Sequence, residues 1–219
     1  MYKHNTIIFP DEATALEYTR QRRQFAAKVA GHWSALARAK KSGDKDRIIN
    51  CSEACIGYCS SFNRLAGMIR SVADQPSEIF WPVWLHHWSM IDGGGEYQPY
   101  LPDMFKRKGS AHPYLENDAK SYFNSLPDMV PVYRGCDERF KDGVSWTTNR
   151  KVAEFFATGN RCGRPRHPVV VTGRIEKRSP NFYYCDNSRN EAEIICTPAI
   201  EAVEPYREPW PGDPDWKRP

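Results

Sequence analysis

Val144-Ser145-Trp146-Thr147-Thr148-Asn149, continuing as RKVAEFFAT (residues 150–158), changes its period in mid-course. In an extended chain Ser145 and Thr147 fall on one face and Val144 and Trp146 on the other. Asn149 then offers a side-chain oxygen to the unpaired N–H groups that open a helix. Val152, Phe155 and Phe156 recur at helical spacing behind it. A strand that runs through a cap into a helix makes the second half of the chain α+β.

Apolar, β-branched runs at 130–134, 168–175, 192–197 and 199–203 predict further strands on either side of this stretch. Upstream the period is helical. Asp11 is placed to cap a helix over 11–41, in which Phe25, Val29 and Trp33 recur every four residues. After Ser42-Gly43-Asp44, a second helix is predicted over 45–72, with Ile48, Cys51, Cys55, Cys59, Phe62, Leu65 and Ile69 as its apolar stripe. Pro76 ends that pattern. The following segment carries Trp81, Trp84 and Trp88, then Gly93-Gly94-Gly95. Residues 96–114 read as a loop with a basic cluster, Lys106-Arg107-Lys108, and 116–125 as a short helix. The division expected is 1–129 helical, 130–204 strand-rich, and 205–219 a tail rich in proline and charge.

With 219 residues, 40% of them hydrophobic, the chain has enough apolar side chains for a core. A net charge of +4 is too mild to require a nucleic-acid partner. Seven cysteines, an odd number without framework spacing, predict reduced thiols and a cytoplasmic location. Residues 1–10 lack the apolar run of a signal peptide, and no stretch approaches the ~20 apolar residues of a membrane span. Cys51, Cys55 and Cys59 lie in the apolar stripe and read as core rather than as metal ligands, so no metal is expected. His86-His87 reads as packing or partner contact.

Three short pieces carry chemistry. Tyr133-Arg134-Gly135 puts a guanidinium, which can fork onto phosphate oxygens, beside a glycine that lets a ligand approach the backbone. Ser145 and Thr147 put two hydroxyls on one strand face. Glu191-Ala192-Glu193, just before or on a strand, puts two carboxylates on one face, roughly 7 Å apart from the strand rise. Each piece also has a plain reading: a surface arginine, ordinary sheet residues, and a charged edge strand.

Together and in this order, with Ala153 and Phe156 on the helix between the second and third pieces, they resemble the R-S-E class of NAD⁺-dependent mono-ADP-ribosyltransferases. The resemblance covers about residues 130–204. It implies a mixed β-sandwich core with NAD⁺ as co-substrate. Arg134 would hold the NAD⁺ diphosphate side and the Gly135 backbone the nicotinamide carboxamide. Ser145 would brace the nicotinamide ribose and the catalytic Glu193, with Thr147, Tyr133 and Phe156 completing the cofactor-binding set. Glu191 would face the acceptor, and Tyr183 or Tyr184 would lie in a substrate-recognition turn. The family's central motif is commonly Ser-Thr-Ser. Trp146 replaces its middle residue and is expected to point away from the ligand.

The chemistry implied is cleavage of an N-glycosidic bond towards an oxocarbenium-like ribose, as in glycoside hydrolysis. The leaving group departs neutral, so a carboxylate near the anomeric centre is needed rather than a general acid. The acceptor expected is a macromolecule, a protein arginine ahead of a nucleobase in RNA or DNA. The alternatives are an NAD⁺ glycohydrolase and a non-catalytic NAD⁺-binding module. The resemblance also implies a toxin or an effector in phage–host conflict or antiviral defence, with an antitoxin or inhibitor as a possible partner and no membrane partner.

Overall fold

The computed structural model describes residues 11–92, 95–159, 165–179, 182–184 and 192–207. The chain divides into two compact units, one ending at Tyr58 and the other beginning at Cys59. The helices between 59 and 129 therefore belong with the sheet.

In the first unit, α1 (Glu12–Ser42) packs against α2 (Lys45–Gly57). Asp11 caps α1 by accepting from the Thr14 N–H at 2.7 Å. Gly43, at φ 70°, ends it with an N–H to the Ala39 carbonyl, a left-handed stop that glycine adopts without a Cβ penalty. The residues α1 buries are Leu36 and Ala39, near its C-terminal end, while Phe25 is exposed. The single helix expected over 45–72 is two. α2 stops at Gly57, and α3 (Arg64–Val72) starts after a turn. The apolar stripe kept its phase across the break and concealed it. Phe62, counted in that stripe, is exposed.

The second unit also corrects the reading of 77–108. Pro76 does not close a helical region; it caps α4 (Ser77–His87), and Pro82 lies inside that helix. A 3₁₀ turn, Gly95–Tyr100, leads into α5 (Leu101–Lys108), with Pro102 in its first turn, where proline's missing N–H is no loss. The basic cluster thus ends a helix rather than lying in a loop. The Lys108 ammonium donates to the Gln75 carbonyl and sits over the Phe80 ring, and burial lowers its pKa. No described helix is long and apolar enough to cross a membrane.

After α6 (Asn117–Ser125) come β1 (Met129–Asp137), β2 (Ser145–Thr147), α7 (Arg150–Thr158), β3 (Pro168–Glu176), β4 (Phe182–Tyr184), β5 (Glu193–Cys196) and β6 (Ala199–Pro205). They form one sheet in the order β4-β5-β2-β1-β3-β6. Every pairing is antiparallel, so the sheet is not mixed. β1 pairs with β3 over nine residues but with β2 only at Tyr133↔Thr147, so the single sheet is narrowest between β4-β5-β2 and β1-β3-β6.

One face of the sheet builds the main core. Val130, Val132 and Cys136 of β1, Trp146 of β2, Val169, Val171 and Ile175 of β3, and Ile194 and Cys196 of β5 meet Leu115, Ala119 and the part-buried Tyr122 and Phe123. The other face takes α7, whose Ala153 and Ala157 pack on Val170 and Tyr133. That approach is so close that a Cβ on Gly135 would lie 1.6 Å from the Ala153 carbonyl oxygen.

Candidate functional site

Glu193 is the first residue of β5 and lies opposite Thr147 of β2. Ser145 lies opposite Ile195, so Ser145 and Glu193 are diagonal neighbours on one face. The Ser145 hydroxyl donates to Glu193 Oε1 at 2.6 Å. A second donor reaches the same oxygen: the indole N–H of Trp88, at 2.9 Å, from a residue 105 positions earlier. Trp88 opens the 3₁₀ turn that continues α4 and is buried. Two donors on one carboxylate oxygen restrict its rotamer.

Ala192, just before Glu193, has φ 46°, the only left-handed non-glycine among the described residues. Such a backbone is strained by roughly 1–2 kcal/mol. Its carbonyl accepts the Thr148 N–H at 3.2 Å, which helps hold the kink. The strand begins at Glu193, and Glu191, expected to share its face, lies outside the described residues.

Arg134 stands where β1 and β2 part. Its Nε donates to the Phe140 carbonyl at 2.9 Å and its Nη1 to the Ser145 carbonyl. The guanidinium thus supplies one bond across to β2, at Ser145, where the ladder has stopped, and one to the 3₁₀ turn Glu138–Phe140 that follows β1. Nη2 lies against Gly143, where a Cβ would come within 2.3 Å of it. Arg134, Ser145 and Glu193 are therefore connected in series: guanidinium to Ser145 carbonyl, Ser145 hydroxyl to Glu193 carboxylate. Arg134, expected to hold the NAD⁺ diphosphate side, thus also helps to hold the sheet together.

The other anticipated residues are placed as follows. Trp146 does point to the face opposite Ser145; it is buried in the core, its indole N–H on the Gly143 carbonyl at 2.7 Å. Thr147 is buried, and its hydroxyl oxygen accepts the Asn149 N–H at 3.0 Å, steadying the turn into α7. Asn149 caps α7 through the Lys151 N–H. Tyr133 is half-buried against α7, and Phe156 is half-buried beside Phe155. Gly135 pairs with Val170. Tyr183 and Tyr184 lie not in a turn but in β4, paired with Ile195 and Ile194.

Sequence reasoning missed several residues. Trp88 is foremost; its only local signal is a four-residue spacing from Phe80 and Trp84. Asp137, at the end of β1, is buried and accepts from the Arg139 guanidinium and from the N–H groups of Arg139, Arg166 and His167. These donors, the Arg139 side chain first, hold its carboxyl far below the usual range. Gln98 accepts the Val144 N–H just before β2. His87 is buried, with neither ring nitrogen bonded among the described residues, and burial pushes its pKa down to about 4.

No family model matches the chain, and neither the curated proteins nor the solved structures compared with it gave a match.

Proposed function

We propose that the chain is an NAD⁺-dependent mono-ADP-ribosyltransferase in which Glu193 is the carboxylate that promotes glycosidic cleavage. The observation that carries this reading is the bonded series Arg134–Ser145–Glu193, with its carboxylate oriented by two donors. NAD⁺ supplies a glycosidic bond whose electrons leave with neutral nicotinamide. The positive charge that develops on the ribose needs a fixed anion, and Glu193 is such an anion. Ser145 and Trp88 hold it in one orientation, so little reorganisation accompanies reaction. The planar guanidinium of Arg134 suits the diphosphate. The acceptor's nucleophilic atom then bonds to the anomeric carbon and loses its proton, a task assigned to Glu191.

The acceptor in this reading is a protein side chain of the arginine type. Labelled NAD⁺ incubated with cell lysate tests it directly. Protease-sensitive label supports a protein, and nuclease-sensitive label transfers the assignment to a nucleobase. Nicotinamide release without label transfer makes the protein a glycohydrolase.

The decisive variant is Glu193→Gln, which keeps shape and loses charge. Nicotinamide release should fall by about 10²–10³-fold, the loss expected for one preorganised electrostatic group, with an unchanged thermal melt. Turnover near that of wild type in the folded variant, or absence of NAD⁺ binding by wild type, rejects the proposal.

A further inference from the structure

We propose that Trp88 is a positioning residue for Glu193, held in place by an aromatic column running along α4; this rests on the reading of Glu193 given above. Phe80 and Trp84 stack at 4.8 Å between centroids, and Trp84 and Trp88 at 5.9 Å. Phe105 of α5 meets Trp84 edge-on at 5.3 Å and Trp88 at 6.4 Å. Phe80 and Trp84 are fully buried and Trp88 is 5% exposed. The column ends in an indole N–H aimed at Glu193 Oε1.

The two donors on that oxygen differ in kind. A serine hydroxyl rotates freely about its C–O bond and also accepts, so Ser145 alone does not fix the direction from which Glu193 is held. An indole N–H only donates, in the plane of its ring. The ring here is immobilised by stacking, so its N–H defines the carboxylate's position. Trp88 touches no reacting atom in this scheme and acts through Glu193. Its contribution should therefore appear in the transition state more than in the binding of NAD⁺.

The test uses the full chain with ¹⁵N-labelled indoles, one of seven from tryptophan. The Trp88 signal is identified by its loss in Trp88→Phe, a change that keeps stacking and removes the N–H. In Glu193→Gln the Trp88 signal should move more than the other six. Trp88→Phe should lower kcat for nicotinamide release about tenfold, the scale of one hydrogen bond to a charged group. KM for NAD⁺ should stay within about twofold. An indole signal indifferent to Glu193→Gln, or full kcat in folded Trp88→Phe, overturns the proposal. Should wild type release no nicotinamide, the reading of Glu193 as the cleaving carboxylate falls. Whether Trp88 positions that side chain is then decided by the indole signal alone.

Discussion

The two halves of the sheet are stabilised by different means. In β1-β3-β6 the backbone carries the structure: β1 and β3 pair through nine consecutive residues, and β3 contributes an apolar run buried on both faces. α7 covers this half, with Arg150 bonded to Glu154 on the helix and to Glu204 on β6. In β4-β5-β2 each strand has only three or four residues. Their order depends on side chains: Arg134 across the parting, Trp146 on the Gly143 carbonyl, Gln98 on the Val144 N–H, and Ser145 and Trp88 on Glu193. Backbone ladders give a region stability that is indifferent to most side chains. The half held by side chains can instead set a carboxylate's orientation, but a single substitution can loosen it.

The largest effect should come from testing the ladder half where it admits no side chain. Gly135→Ala places a methyl 1.6 Å from the Ala153 carbonyl oxygen and 2.6 Å from the Ala157 nitrogen. Both are backbone atoms of α7 and cannot step aside singly. The helix must lift off β1, with a loss above about 4 kcal/mol, the range of severe backbone conflicts. Soluble protein with a melting temperature near that of wild type would show that α7 is not clamped to this half. The glycine would then be free for the ligand contact that the sequence suggests.

Arg134 tests the parting itself. Arg134→Ala removes two charge-assisted bonds to carbonyls, about 2–3 kcal/mol. Arg134→Lys should recover less than half, because one ammonium cannot span both oxygens as a planar fork does. Denaturant unfolding gives the magnitude, and amide hydrogen exchange gives its location. Protection should fall in β2 and β5 and persist in β3. Equal losses in both halves would mean that the sheet behaves as one unit. NAD⁺ affinity should fall in both variants, and unchanged affinity by calorimetry would move the nucleotide site elsewhere.

The same contrast explains what was legible in the sequence. Patterns written in adjacent residues were readable: Asn149 and the helix behind it, the β3 run, Ser145 and Thr147 against Trp146. Helices α4 and α5 were not: Pro76 read as the end of a helical pattern, and Pro82 and Pro102 fall within the segments that follow it. Two of these occupy the N-terminal ends of helices, where the ring is tolerated. The contact between Ser145 and Glu193 was anticipated only through the resemblance. The Trp88 contact was not anticipated at all, since no local period joins residues 105 positions apart. Arg134 was identified, but its carbonyl partners depend on where β1 and β2 separate, which follows from the tertiary packing of short strands.

The smallest effect should come from Tyr122, where α6 touches the end of β2. The Tyr122 hydroxyl and Thr148 Oγ1 share a hydrogen bond of 2.7 Å. The Thr148 N–H in turn reaches the carbonyl of kinked Ala192. Tyr122→Phe keeps the ring in the main core and removes one neutral, part-buried hydrogen bond. The Thr148 hydroxyl is half-buried and can turn to water, so the stability lost should be about 1 kcal/mol. What distinguishes this bond from an ordinary one is its place on the path from α6 through Thr148 to Ala192. If side-chain bonds hold the β4-β5-β2 half, exchange should quicken at Thr148 and Glu193 and stay unchanged along β3. Nicotinamide release should fall by no more than about twofold, because Ser145 and Trp88 still grip the carboxylate. A loss of several kcal/mol, or exchange that quickens along β3 as well, would show that α6 braces the whole sheet and that the two halves are not separately held.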